Sequence, residues 1–279
     1  MTQLWPEGVK CAVCITVDFD GPSKETGLKQ VPYGKNAHGR YSAKRGIPRH
    51  LEIFARQQVP ATFFVPGFDA EQHPDTVRAI LAAGHEVASH GYLHESFDLG
   101  AEEPYYLRKT HDILTELIGR PPVGWRTPGG GKSDQTLRVL KELGYRYDSS
   151  EKDADLPFFP RIEGREVEGF INLPDNTSSL DDFPFYRVSY TPPSEVLTHW
   201  KQEFDAIYSE SGFFDLIVHP RQGFGSGSPS RAKVFDDLIT YIKGFPGAKF
   251  YRMDELADWC LEHPNLWRKS PALGAHHDR

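Results

Sequence analysis

The chain is poor in sulfur, carries a deficit of positive charge and contains no long apolar run. Three cysteines, Cys11, Cys14 and Cys260, occur in 279 residues. Three is too few for a disulfide-stapled scaffold. Cys11 and Cys14 form a CxxC, a spacing that redox sites and half zinc sites use. Here it falls inside an apolar strand pattern, where residues three apart point to opposite faces, which suits neither a disulfide nor a shared metal. No stretch of about 18 apolar residues exists, so no membrane span is expected. The segment Met1 to Lys10 lacks a basic stretch followed by an apolar core, so no export signal is read there and a cytoplasmic location is expected. Lys and Arg total 32 against 39 Asp and Glu, a formal charge of −7, and no basic run is interleaved with stacking aromatics. A nucleic-acid partner that relies on phosphate contacts is therefore not expected.

What is present is an ordinary globular composition, 38% hydrophobic and 25% charged, enough for a substantial core. Short apolar runs alternate with segments of helical period. Strands are expected at 11–18, 60–65, 85–89, 123–126, 145–148, 167–173, 213–218 and 248–251. Helices are expected at 46–58, 73–83, 102–118, 134–143, 194–211, 230–243 and 253–262. Asp134, Ser194 and Ser230 sit where helix N-caps are wanted, and Gly84, Gly119, Gly144 and Gly244 where helices stop. Regular alternation predicts a mostly parallel sheet, an α/β fold of the (β/α) barrel kind, incomplete or distorted. With no repeat, linker or low-complexity tract, residues 1–279 read as one domain. Two long segments, 21–45 and 174–193, interrupt the pattern. The second carries Phe183, Phe185, Tyr186 and Tyr190. Such loops are usually lids, binding loops or interface arms.

The chemistry-bearing residues fall at the ends of the strand runs, where barrel enzymes keep their catalytic groups. His90 and His94, four apart after Glu86-Val87-Ala88, can aim at one point. Asp18 and Asp20 end the first run and share a face if the strand continues. Two imidazoles and one carboxylate make a facial metal triad, and a spare carboxylate beside it is a general base. Arg126, Asp148 and His219 lie at three further strand ends. The pattern implies metal-assisted hydrolysis. His85-Glu86-Val87-Ala88-Ser89-His90 imitates the zincin HExxH but has one residue too many and lies on a strand, so His85 reads as structural. Gly129-Gly130-Gly131-Lys132 lacks the spacing of a phosphate loop.

Taken in order, Thr16-Val17-Asp18-Phe19-Asp20, Ser89-His90-Gly91-Tyr92-Leu93-His94, Arg126-Thr127-Pro128-Gly129, Asp148 and Leu216-Ile217-Val218-His219-Pro220 resemble the motifs of the carbohydrate esterase and polysaccharide deacetylase group with a NodB-type domain. The resemblance implies a seven-stranded, distorted TIM-like NodB barrel. It implies Asp18 as general base, Asp20, His90 and His94 as ligands of a divalent metal, usually zinc, and Arg126 as the residue orienting the base. It implies His219 as general acid, with Asp148 helping to hold it. Gly46 to Leu51, Asn172 to Asn176 with Leu180 to Pro184, and His219-Pro220 followed by Ser228 to Arg231 are similar to a cytosolic branch. That branch includes a Helicobacter-type peptidoglycan deacetylase-like protein, allantoinases and cyclic imide hydrolases. Its members form homotetramers, which the resemblance extends to this chain.

The expected substrate is an amide, either an N-acetylated amino sugar or peptidoglycan fragment, or a small cyclic imide or ureide. Arg40, Arg45 and Arg49 are candidates for an anionic substrate group. A catalytically dead binding or scaffold protein is the alternative from another class, and a phosphoesterase would want more ligands for two metals.

Overall fold

The structure, a computed structural model, describes residues 3–96, 99–176 and 178–268. The strands are β1 (Cys11–Asp18), β2 (Thr62–Val65), β3 (Glu86–Ser89), β4 (Gly124–Trp125), β5 (Tyr147–Asp148), β6 (Arg161–Ile162), β7 (Arg165–Glu166), β8 (Ile171–Asn172), β9 (Phe213–Val218) and β10 (Ala248–Tyr251). All β-ladder partners are parallel except in the small hairpin β6–β7. β1 is the hub. One edge pairs with β9 from Ala12 to Val17. The other edge is shared, its first half pairing with β10 and its second with β2. The sheet continues through β3, β4 and β5 to β8. The result is a curled, mostly parallel seven-strand half-barrel with helices outside and β10 wedged beside β1, the distorted (β/α) barrel that the alternation implied.

β1 earns its place through composition: Val13, Ile15 and Val17 suit a pleated strand, and every residue from Cys11 to Asp18 is buried. Alternation then divides the residues between two cores. Val13, Ile15, Val17, Phe63 and Val65 face outward and pack with Trp200 and Phe235 of the helices Pro193–Ser209 and Pro229–Ile242. Ala12, Cys14, Phe64, Ala88 and Tyr147 face the barrel interior. Cys11 and Cys14 duly fall in different cores, both as free thiols. His85 packs edge-on against Phe54, ring centroids 5.2 Å apart, as a structural residue.

The helix Met253–Glu262 closes the N-terminal end of the barrel with Met253, Leu256, Ala257 and Cys260. Its first amides are met by polar groups of the sheet. Met253 N donates to Thr62 Oγ1 at 2.9 Å, and Asp254 N to Glu86 Oε2 at 2.9 Å. Glu86 also accepts from Thr62 and Tyr147 hydroxyls, so a buried carboxyl is fully engaged. With that end sealed, the opposite end is left for chemistry.

Some expectations needed correction. The strands expected at 123–126, 145–148 and 167–173 shrink to two residues each, because the sheet splays as it curls. Part of 167–173 is preceded by the hairpin β6–β7, whose Glu163-Gly164 turn has both φ angles positive, as a tight hairpin needs. The N-caps move too. Ser133, not Asp134, caps the helix Asp134–Glu142, in a reciprocal box with Thr136. Pro192 and Ser228 precede the later helices instead of Ser194 and Ser230, because Pro193 and Pro229 occupy the first helical position, where a missing N–H costs nothing. Residues 21–45 are not irregular throughout: Ser23–Gly27, His38–Tyr41 and Ser42–Gly46 form helical turns.

Phe64 is fully buried inside the barrel, its ring 4.2 Å from the Arg126 guanidinium. Phe64→Ala is expected to cost about 3–5 kcal/mol of stability, read from urea unfolding of the wild-type and variant proteins; a loss under about 1 kcal/mol would show that this layer does not carry the fold.

Candidate active site

At the C-terminal end of the barrel the structure brings together Asp18, Asp20, His90, His94, Arg126 and His219. Asp18 is the last residue of β1, while His90, Arg126 and His219 each follow directly on a strand. Asp20 does not arrive by strand alternation. The strand stops at Asp18, and Asp20 takes a left-handed backbone with φ 39°. His94 likewise has φ 53°, after Gly91 at φ 66°. The His pair therefore converges through a turn, not through helical spacing, with ring centroids 5.1 Å apart.

His94 Nε2 lies 3.3 Å and His90 Nε2 3.7 Å from Asp20 Oδ1. That oxygen is buried and has no hydrogen-bond partner. His90 Nδ1 is 2.9 Å from the Arg126 carbonyl, which can only accept. The proton is thus on Nδ1, leaving the Nε2 lone pair aimed at the same point as the orphaned Asp20 oxygen. Burial, outweighing the nearby Asp18 and Asp20 charges, holds His90 below its usual pKa and so neutral. Ligands bound at about 2.0–2.2 Å in tetrahedral array stand about 3.4 Å apart. The donor set fits a divalent ion.

Arg126 reaches inward beneath this point and uses all five of its donors. Nη1 donates to Asp18 Oδ1 at 3.0 Å and Thr16 Oγ1 at 2.8 Å. Nη2 donates to Asp215 Oδ2 at 2.7 Å and Ser149 Oγ at 2.8 Å, and Nε to the Ser149 carbonyl at 2.9 Å. Burial by itself would raise the Asp18 carboxyl, but Arg126, His90 and His219 together hold it below its ordinary value. Asp18 Oδ2 is left facing His90 and His219. Asp215 is pushed up to about 7, by burial first and against the pull of Arg126.

His219 is held by Asp182, not by Asp148. Nδ1 lies 2.7 Å from Asp182 Oδ1, and Asp182 Oδ2 accepts from the amides of His219 and Ser226. Nε2 then faces Asp18 Oδ2 at 4.0 Å and Asp20 Oδ2 at 3.8 Å. Burial works against its charge, yet Asp182 and Asp181 raise the imidazolium pKa to about 10. Phe183 and Phe224 flank the ring, with centroids 6.4 and 6.2 Å away. Asp148 is a correction. On β5 its neighbours Tyr147 and Ser149 point inward, to Glu86 and Arg126, so Asp148 points outward. There it pairs with Lys132 and Ser150, pinning the rim 127–133. This is also the fate of the Gly129 to Lys132 stretch.

Asp182 and Asp215 carry no motif of their own in the sequence. Asp182 lies in the Leu180 to Pro184 segment without a pattern that assigns it a role. Asp215 had a visible signal, a lone charge in the apolar run Phe213 to Val218, on the same strand face as His219. Two of the candidate anion-binding arginines are engaged elsewhere: Arg40 stacks on Tyr33 and Arg49 ties Tyr41 and the Gly227 carbonyl. Phe185 packs on Trp200 and Tyr186 is buried, so the aromatic cluster is mostly structural, with Phe183 alone beside His219.

A family model described as polysaccharide deacetylase matches residues 28–147, which include His90, His94 and Arg126. A peptidoglycan deacetylase-like protein of Gibberella zeae is 32% identical over 294 residues, covering 88% of this chain and 85% of its own. The peptidoglycan deacetylase of Helicobacter pylori is 28% identical, covering 80% and 86%. A structure described as a polysaccharide deacetylase from Mycobacterium smegmatis superposes with TM-score 0.81 at 31% identity, over 93% of each chain. The Puue allantoinase superposes with TM-score 0.82 at 25% identity, again over 93% of each. The chain belongs to the polysaccharide deacetylase family, hydrolases of amide carbon–nitrogen bonds.

Asp182→Asn removes the charge that favours the His219 imidazolium. The high-pH limb of kcat/KM is expected to move to lower pH, and a pH profile of the variant with an unmoved limb would remove Asp182 from this role.

Proposed function

We propose that the chain is a zinc-dependent hydrolase that cleaves the amide of an N-acetylated amino sugar or small peptidoglycan fragment. The observation that carries this reading is the orphaned Asp20 Oδ1 between two imidazole Nε2 atoms, with Asp18 and His219 on its flanks. Asp20, His90 and His94 would hold the ion. Zinc in that position supplies Lewis-acid polarisation of the amide carbonyl and acidifies the attacking water. Asp18, ionised and oriented by Arg126, takes a proton from that water through Oδ2. His219, kept protonated by Asp182, delivers a proton from Nε2 to the departing nitrogen, without which an amine is a poor leaving group. Thr16 and Asp215 keep Arg126 in place. A non-catalytic scaffold is not favoured, since every residue this reading assigns as ligand, base or acid is present.

A second reading, ring opening of a small cyclic imide or ureide, is favoured by enclosure of the site. Asp18, Asp20, His90, His94 and His219 are 6, 3, 2, 7 and 7% exposed, which suits a small substrate better than a polymer. The likeness to an allantoinase supports it. Turnover of acetylated amino-sugar oligomers against hydantoins, succinimide-type imides and allantoin, all with zinc-loaded protein, separates the two; no turnover of either class would sink both.

We further propose that copies assemble as a homotetramer. Leu28, Val31 and Tyr33 of one long loop and Val188 and Tyr190 of the other are large apolar groups left exposed. No described helix is long and apolar enough to cross a membrane. A cytoplasmic location remains part of this proposal, and light scattering that gives the mass of one chain would count against the assembly.

His90→Ala is expected to lower zinc content and activity together, and full activity in the metal-free variant would refute the triad. Asp18→Asn should keep zinc while slowing turnover by about 10²–10⁴-fold, measured at saturating substrate; near-normal turnover would remove Asp18 as the base.

A further inference from the structure

The two loops that would supply the metal ligands are gripped by one neighbouring helix. Asp20 and His94 both have left-handed backbones, with φ 39° and 53°. Such a conformation is strained for a residue other than glycine and persists only where its surroundings over-determine it. The surroundings here converge on a short helix that supplies no ligand, Gly67–Gln72, which follows β2. On one side its Asp69 side chain, fully buried, reaches the loop after Asp20. Asp69 Oδ2 accepts from Gly21 N at 2.9 Å and the Ser23 hydroxyl at 2.6 Å, and Oδ1 accepts from Ser23 N at 3.1 Å. On the other side the amides of Gly67 and Phe68 donate to the Gly91 and Tyr92 carbonyls at 2.9 and 3.0 Å, inside the His90–His94 turn.

Neither junction has slack. A Cβ on Gly21 would lie 2.3 Å from Asp69 Oδ1, and one on Gly67 2.9 Å from Tyr92 Cδ2. The outer faces of both loops are also tied. The Ser42 hydroxyl donates to the Asp20 carbonyl at 2.9 Å, and Glu95 accepts from Tyr92 N and Leu93 N. A carboxylate that accepts several N–H and O–H groups is a strong, directional anchor. Asp69 grips the Asp20 loop, while the helix backbone and Glu71, which accepts from the Tyr92 hydroxyl at 2.8 Å, grip the His loop.

We infer that the helix Gly67–Gln72, through Asp69, is a positioning device that sets the distance between Asp20 and the His90–His94 pair, and so sets metal affinity. Asp69 touches neither substrate nor the reacting atoms, which makes it a positioning residue. The inference rests on the metal reading proposed above. Groups that orient metal ligands from behind typically change metal affinity by about 10–100-fold when removed.

The test is zinc affinity of the full chain, stripped with a chelator and titrated with zinc against a chromophoric competitor, alongside thermal unfolding of the metal-free proteins. Asp69→Asn is expected to weaken zinc binding by about 10–100-fold in a protein that still unfolds cooperatively without metal, and kcat at saturating zinc should return toward the wild-type value. Ser23→Ala, which deletes one donor and spares the carboxylate, should weaken zinc binding by a smaller factor. It carries the test if Asp69→Asn does not fold. The double variant should lose no more than Asp69→Asn alone, because both changes break one junction. Unchanged zinc affinity in Asp69→Asn, or in Ser23→Ala where the former does not fold, would overturn the inference while leaving the metal reading intact. Failure of the wild-type protein to take up zinc would overturn the metal reading and the inference together.

Discussion

The site depends on one buried guanidinium. Arg126 leaves β4 and spends its five N–H groups on Thr16 and Asp18 of β1, on Ser149 just beyond β5, and on Asp215 of β9. A buried cation is tolerated only when its charge and every donor are answered. Here two carboxylates flank it and no donor is left over. The same contacts tie four parts of a sheet whose ladders are thin at β4, β5 and β8. One side chain therefore does two things at once: it closes the curl of the half-barrel at its open end and fixes the ionised Asp18 beside the His pair.

From that centre the electrostatics divide into two halves with opposite tasks. On the Arg126 side, positive charge keeps Asp18 able to accept a proton. On the Asp182 side, negative charge keeps His219 able to give one. The two groups face one another near 4 Å across the Asp20 carboxylate. Asp18 and His219 keep opposite charges at so short a range because each has its own buried counter-ion behind it. The amide hydrolysis proposed above would use both groups, since water must lose a proton and the nitrogen must gain one. The sealed N-terminal end, with Glu86 answered by the first amides of the helix Met253–Glu262, leaves this as the working face of the barrel.

Much of the fold was legible. The apolar run Cys11 to Val17 could only be a strand buried on both faces, and the alternation of such runs with helical period implied parallel pairing. The short strands β4, β5 and β8 were overextended, because a curled sheet pairs over fewer residues than local propensity supports. Of the site, Asp18, His90, Arg126 and His219 were legible at strand ends and Asp20 and His94 by their spacing just after them, and the geometry gathers all six. Asp148 ended a strand too, but the period of two turns it outward to Lys132, so position along the chain was right and facing was wrong. Asp182 lies in a loop with no period at all, and only the tertiary path of 174–193 brings it behind His219.

The sequence by itself determined which residues are chemically able to act and roughly where along the barrel they lie, because burial pattern and strand ends are local properties. Tertiary structure decided how they face one another. The left-handed turn at Asp20, the clamp from Asp69, and the choice of Asp182 over Asp148 as the partner of His219 all depend on contacts between segments far apart in the chain. Such contacts fix hydrogen-bond partners and charge neighbours, and those set which proton each group holds.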